Sequence, residues 1–132
     1  MMRKNLHKGF SLIELMVALG IIAILATVAA GFMGENVTAA KRTDGRSALL
    51  TSASTLEKCK AIYGTYNNAN CDISNGDSFD SPDQKYTVTV TSAATTFSLT
   101  ATPKATDEKC TSIKLDHLGQ QTGTGSDAEL CW

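Results

Sequence analysis

A long apolar stretch dominates the first quarter of the chain. Residues 15–33 are nineteen consecutive positions without a charged side chain, and the apolar stretch as a whole runs from Phe10 to Met33. As an α-helix, residues 10–33 would be about 36 Å long at about 1.5 Å per residue, which exceeds the roughly 30 Å of a bilayer's hydrocarbon core. The pattern therefore predicts a membrane-spanning helix over residues 10–33.

The helical pattern continues beyond this stretch but becomes one-sided. Leu49, Ala53, Leu56 and Tyr63, with Cys59 or Lys60 between the last two, recur at helical spacing near one face. They predict that a single helix of about fifty residues ends near Tyr63 and packs this face on the protein's own sheet. Gly45 is expected to weaken the helix, because glycine has low helix propensity. The charged side chains of this half are expected to face water or neighbouring molecules: Lys41, Arg42, Asp44, Arg46, Glu57 and Lys58.

The remaining chain changes to a period of two. Residues 85–91 and 96–102 alternate between apolar or aromatic side chains and serine or threonine, which predicts two β-strands. A third strand is predicted at about residues 111–115. Residues 64–82 and 119–129 are rich in polar residues and glycine, and are predicted to be loops. The sequence thus predicts an α+β head of three or four antiparallel strands packed on the amphipathic half of the long helix.

The near-neutral charge of the chain hides an uneven distribution. There are 12 basic and 13 acidic side chains, and the first nine residues hold three basic side chains and no acidic one. Without them, 9 − 13 gives a net charge of −4. This charge argues against a protein that wraps nucleic acid, because phosphate contacts need clustered lysine and arginine. A local basic patch remains open at Lys104, Lys109 and Lys114.

Glu14 is the unusual residue of the apolar stretch. A carboxylate in a membrane helix costs free energy, about 2.5–3.5 kcal/mol for an aspartate at the centre and less towards an interface. No lysine, arginine or histidine lies between Lys8 and Lys41, so the helix itself offers Glu14 no partner. Either another molecule supplies a cation, or the carboxyl stays neutral at the headgroup level.

The start of the chain resembles the signal sequence of type IV prepilins. Residues 8–15 read KGFSLIEL, which combines a basic leader, a glycine, a phenylalanine and a glutamate four positions later. The resemblance implies cleavage between Gly9 and Phe10 by prepilin peptidase, and N-methylation of the new Phe10 amine. It also implies that Glu14 neutralises this amine on a neighbouring subunit and so sets the register of assembly. The expected organisation is a leader at 1–9, a transmembrane and filament-core helix at 10–33, and a head at 34–132.

The C-terminal half resembles small minor pilins of the PilE kind. The similar positions are residues 96–103, then Cys110, Ile113, Leu115, Leu118, Gly119, Cys131 and Trp132. The resemblance implies the pilin fold, in which a long N-terminal helix packs against a small antiparallel sheet. Four cysteines allow three pairings. The resemblance implies a disulfide between Cys110 and Cys131 that closes the C-terminal loop, and it leaves Cys59 and Cys71 for the second.

The resemblance implies a structural role for the protein. We expect a minor pilin of a bacterial type IV pilus, supporting pilus assembly, adhesion or twitching motility. Its expected partners are other pilin subunits, prepilin peptidase and the inner-membrane assembly machinery. It would cross the inner membrane once, with its head in the periplasm, before entering the extracellular pilus. The alternatives are a type II secretion pseudopilin, a competence pilin that takes up DNA, and a secreted domain released by ordinary signal cleavage near Ala30; nucleic acid is not favoured as a partner.

Neither catalysis nor a cofactor is expected. His117 is the one histidine after the leader, and no motif places a nucleophile beside it, so it is predicted to be a surface or strand-edge residue. Zinc is a weak alternative for the cysteines, because there is no C-x₂-C pair. Calcium is the alternative for the acidic side chains, although they lack EF-hand spacing. These acids are Asp72, Asp77, Asp80, Asp83, Asp127 and Glu129.

Overall fold

The computed structural model of the protein describes residues 10–132, apart from the side chains at 30–32 and 35. It contains one long α-helix, a five-stranded sheet and a short 3₁₀ helix. These elements are α1 (Leu12–Tyr63), β1 (Ser78–Asp80), β2 (Tyr86–Ser92), β3 (Phe97–Pro103), β4 (Ser112–Asp116), β5 (Gln121–Thr124) and the 3₁₀ helix (Ala128–Cys131). The chain divides into two compact units, Met1–Val37 and Thr38–Trp132.

The first unit presents its apolar side chains outward. Within it, Leu12–Ala29 forms a helix that is long and apolar enough to cross a membrane, and none of these eighteen residues is buried. Ile13, Leu19 and Ile24 are each more than half exposed. A helix that is apolar on all sides needs lipid or other apolar helices around it. This unit therefore has the character of the predicted membrane helix.

Helix α1 is continuous over its 52 residues and confirms the prediction of one helix of about fifty. In its second half Leu49, Leu56 and Cys59 are buried, as the periodic pattern indicated for this face. Tyr63 was predicted to extend the buried stripe, but it is 42% exposed. The helix ends there, and the buried aromatic ring comes instead from Tyr66, whose ring packs edge-on against Phe97 at 4.9 Å between centroids.

The sheet is an antiparallel meander in which each strand pairs with the next along the chain. The apolar positions of the central strands lie in register across it: Val90 is opposite Leu99, and Leu99 is opposite Leu115. These side chains are buried with Leu49 and Leu56 of α1 in one core. The arrangement confirms the predicted α+β class and the three strands that the sequence indicated.

Two strands lie where loops were predicted. Strand β1 (Ser78–Asp80) falls within the polar region at 64–82, and β5 (Gln121–Thr124) falls within 119–129. Strand β1 has only three residues and β5 has no apolar side chain, so neither shows an alternation long enough to indicate a strand, and the loop predictions were wrong at these positions. Tertiary pairing forms both strands, since β1 extends the sheet beside β2 and β5 extends it beside β4.

Gly45 permits a close approach between the helix and the sheet. A Cβ atom at this position would lie 2.9 Å from two carbon atoms of the Tyr86 ring. Real Cβ contacts are longer, so the ring of Tyr86 can pack on the helix backbone because residue 45 has no side chain. Helix α1 is continuous through Gly45, which was expected to weaken it and for which the structure gives a packing reason.

Candidate functional site

The N-terminal features predicted for processing and assembly lie partly within the described residues. Gly9 lies outside them. Phe10 is 83% exposed, and Glu14 is an exposed residue in the first turn of α1. Among residues 10–132 the carboxylate of Glu14 forms no ion pair. The carboxylate is therefore accessible to a cation on another molecule.

Arg42 is buried, although the sequence predicted that it faces water. Its side chain is 7% exposed and forms a two-pronged ion pair with Asp107, with Nε–Oδ2 at 2.7 Å and Nη2–Oδ1 at 2.8 Å. Asp107 also accepts a hydrogen bond from the backbone N–H of Cys110. Arg42 thereby fixes the loop between β3 and β4 on the helix. Such a fork geometry satisfies both charges where water is largely excluded.

Asp44 is the second charged residue that was predicted to face water and that is buried in the structure. Its carboxylate accepts hydrogen bonds from the Ser81 hydroxyl, from the backbone N–H of Asp83 at 3.0 Å and from that of Lys85 at 3.3 Å. Ser81 Oγ in turn accepts a hydrogen bond from the Tyr86 N–H at 2.9 Å. Asp44 thus holds the loop between β1 and β2 on the helix. A carboxylate with several donors can stay buried without a cation beside it.

The C-terminus is attached to the same stretch of helix. Arg46 donates from Nε to the Cys131 carbonyl at 2.8 Å and from Nη2 to the Leu130 carbonyl at 3.0 Å. Residues 42–46 therefore hold both loops and the chain end. A disulfide between Cys110 and Cys131, with Cα atoms 5.4 Å apart, ties the chain end to the loop that precedes β4.

The other two cysteines are also joined. Cys59, near the end of α1, bonds to Cys71 with Cα atoms 5.5 Å apart. This bond fixes the loop after the helix, where Tyr66 donates a hydrogen bond to Glu57 at 2.8 Å. Lys60 lies over the Tyr66 ring at 4.3 Å. Disulfides in small exported domains add stability that a limited core cannot supply.

Between the two loops lies a cleft of about 310 Å³ with three lysines in its lining, which we call the lysine cleft. Lys41 comes from α1, Lys85 from the residue before β2, and Lys104 from the residue after β3. Lys41 and Lys85 make no ion pair with any described residue, whereas Lys104 contacts Asp80 at 2.7 Å. The Lys104–Asp80 pair is roughly half exposed, so salt screens it and an anionic ligand can compete for the lysine.

The three lysines that the sequence suggested as a basic patch, Lys104, Lys109 and Lys114, do not line one cleft. Lys104 lines the cleft, but Lys109 and Lys114 do not. Lys114 lies on the exposed face of the sheet, in register with Thr100 and Thr122. The sequence gave no signal for Lys41 or Lys85 as members of one site. They converge because Asp44 fixes the loop that carries Lys85 beside the helix that carries Lys41.

Acid is expected to destabilise the head through Asp107. The hydrogen bonds from Arg42 hold the pKa of this carboxyl below its usual value of 3.8. A pKa that is lower in the folded state means that the stabilisation is complete above the unfolded pKa and disappears as the pH falls through the folded one. Urea unfolding of the full chain in detergent, followed by Trp132 fluorescence, should show the free energy of unfolding falling from about pH 5 to about pH 2.

The variant Asp107→Asn separates this contribution from general acid effects. It should lower the free energy of unfolding at neutral pH by about 3–5 kcal/mol, because Arg42 remains buried without its counter-charge. Its stability should also depend less steeply on pH below about pH 4. The control Asp72→Asn, at an exposed site, should keep the wild-type slope. Equal slopes in Asp107→Asn and the wild type would contradict the assignment.

The residues considered for catalysis and metal binding lie apart in the described structure. His117 is partly exposed, and its ring lies 6.4 Å from that of Phe97. Among residues 10–132 no three histidine, cysteine, aspartate or glutamate side chains gather as a metal site would require. Asp77, one of the acids considered for calcium, accepts a hydrogen bond from the backbone N–H of Ser74 at 2.7 Å.

Comparison with known proteins gives two family matches. The model described as "Type IV minor pilin ComP, DNA uptake sequence receptor" matches residues 33–114, more than half of the chain. The model described as "Prokaryotic N-terminal methylation motif" matches residues 4–30. No curated protein and no solved structure matches the chain. The first match includes all three lysines of the lysine cleft, and the second includes Gly9, Phe10 and Glu14.

Proposed function

We propose that this chain, which belongs to the ComP family of type IV minor pilins, is a pilus subunit whose head binds double-stranded DNA at the lysine cleft during DNA uptake. The predicted minor pilin is thus confirmed, and the matched family is ComP. DNA uptake stood among the alternatives, because a net charge of −4 argued against nucleic acid. The description of the family as a DNA uptake sequence receptor now favours it.

The single observation that supports DNA binding is the convergence of Lys41, Lys85 and Lys104 on one cleft. Net charge averages over the whole surface, but phosphates respond to the local arrangement of cations. Two acids beside the cleft are engaged: Asp107 pairs with Arg42, and Asp80 pairs with Lys104. Lys41 and Lys85 thus remain available for the DNA backbone.

The N-terminal segment would attach the head to the pilus. We propose that prepilin peptidase removes residues 1–9, that the amine of Phe10 is methylated, and that residues 10–33 cross the inner membrane with the head in the periplasm. Family membership and the methylation motif support this order of events. During assembly the exposed apolar helix would move from lipid into contact with the helices of other pilins. The head, at residues 34–132, would act by binding and not by catalysis.

The test is a DNA-binding titration of the full chain in detergent over a series of salt concentrations. Each lysine–phosphate contact contributes about −0.9 to the slope of log K against log salt, so three contacts predict a slope of about −2.7. A head that binds DNA through the cleft should reach this slope with duplex DNA. Absence of DNA binding at about 50 mM salt would refute the proposed function.

A further inference from the structure

Gln84 has an unusual backbone conformation at the edge of the lysine cleft. Its φ is 56°, the positive value that glycine adopts readily and longer side chains rarely do, and no other non-glycine residue among those described has a positive φ. Gln84 N–H donates to the Ser81 carbonyl at 2.8 Å. On either side of it, the N–H groups of Asp83 and Lys85 donate to the buried Asp44. The loop therefore holds the backbone of residue 84 in a fixed position.

The side chain at this position is free to contact a ligand. Gln84 is exposed and is part of the lining of the lysine cleft. Its amide forms no hydrogen bond with any residue in the described part of the chain. A glutamine amide has two donors and one acceptor, and here all of them are available. The fold thus presents a side-chain amide without a hydrogen bond to the described residues, from a fixed backbone, in the cleft that Lys41 and Lys104 also line.

A long side chain such as that of Gln84 is unusual in a left-handed backbone conformation, so its presence calls for a physical explanation. Glycine or asparagine would occupy this turn position with less strain. Residues in sparsely populated conformations persist where surrounding contacts determine them, and they cluster at ligand sites. Packing does not supply the reason here, because the side chain of Gln84 is exposed.

We infer that Gln84 is a specificity-determining residue, which reads an adenine in the major groove while the lysines hold the phosphates. The inference rests on the proposed DNA-binding function. Lysine contacts to phosphate carry no sequence information. A glutamine amide can accept a hydrogen bond from adenine N6 and donate one to N7, and this pair distinguishes A·T from the other base pairs. Gln84 is suitably placed for this role, because it lies among the lysines that would fix the register of the duplex.

The experiment compares the full-length wild type with Gln84→Gly by selecting bound duplexes from a random-sequence library. Glycine suits the positive φ, so this variant removes the amide and leaves the turn intact. We expect the wild type to enrich a motif that contains an A·T pair. Gln84→Gly should lose about 5- to 150-fold discrimination at that pair, with the salt slope unchanged and the urea unfolding midpoint no lower than that of the wild type. Gln84→Asn, which keeps an amide and tolerates the conformation, should retain more discrimination than Gln84→Gly.

The remaining outcomes count against the inference in distinguishable ways. If Gln84→Gly selects the same motif as the wild type, or if the wild type binds DNA without enriching any motif, Gln84 does not read sequence, but the lysine cleft can still bind DNA. An equal loss of binding to all sequences in Gln84→Gly would make Gln84 a general contact. If the wild type binds no DNA at all, the proposed function fails together with the inference. The comparison variant Lys85→Gln should keep the motif and reduce the salt slope by about 1.

Discussion

Replacing Glu14 with alanine is expected to leave the head folded and to reduce incorporation of the protein into pili by about 10²- to 10⁴-fold. The carboxylate is exposed and has no ion pair within the described chain, so its partner in a filament must come from another subunit. Loss of one member of a buried pair typically costs about 3–5 kcal/mol, because the other charge stays unpaired. The measurement is the amount of the protein in sheared pili, relative to its amount in the membrane fraction.

Two further variants make this result specific to the position of the charge. Glu108→Ala removes one acidic side chain from an exposed site in the head and should be incorporated normally. Glu14→Gln keeps the size of the side chain but not its charge, and should behave like Glu14→Ala. Incorporation of Glu14→Ala at the wild-type level would show that the carboxylate does not determine assembly. The urea unfolding midpoint, followed by Trp132, should be the same in all four proteins.

The double variant Lys41→Gln with Lys85→Gln is expected to weaken DNA binding by about 30-fold at about 0.15 M salt. Loss of two phosphate contacts reduces the magnitude of the slope of log K against log salt by about 1.8. With equal affinities at about 1 M salt, this difference in slope gives an affinity ratio of about 30 at about 0.15 M. These two lysines line the cleft and form no ion pair among the described residues, so the substitutions break no such pair. The measurement is a titration with duplex DNA at several salt concentrations.

A second double variant controls for the change in net charge. Lys58→Gln with Lys114→Gln removes the same charge from exposed positions outside the lysine cleft. It should bind DNA with nearly wild-type affinity and slope. If the two double variants lose affinity equally, DNA binding depends on the overall charge of the head and not on the lysine cleft. If only the control loses affinity, the DNA contacts lie on the exposed face of the sheet around Lys114.

The sequence was most informative where one local physical property decides the structure. The apolar stretch predicted an apolar helix, because backbone groups in lipid must bond within the segment, and the structure has a helix at Leu12–Ala29 that is long and apolar enough to cross a membrane. Strands β2 and β3 could also be predicted from the sequence, because every second side chain is buried and the apolar residues therefore alternate with polar ones. The resemblance of residues 8–15 to the prepilin signal added the expected processing, and the match to the methylation motif covers those positions.

The structure was needed wherever burial depends on a distant partner. Arg42 and Asp107 are 65 positions apart, and nothing near Arg42 in the sequence marks it as buried. Asp44 likewise finds its donors 37 to 41 positions later. Periodicity assigns both charges to the surface, since it describes the neighbours along one helix and not the loops packed against it. The same limitation hid β1 and β5, whose strand conformation depends on pairing.

The sequence by itself therefore determined the apolar N-terminal helix, the α+β class and the family resemblance. The position of the site was decided only by the tertiary structure. Lys41, Lys85 and Lys104 belong to three segments that carry no common pattern, and the carboxylates of Asp44 and Asp107 bring these segments together. Asp44 holds the loop before Lys85, and Asp107 holds the loop after Lys104. Hydrogen bonds between residues far apart in the chain position the cleft, and a linear pattern does not encode such bonds.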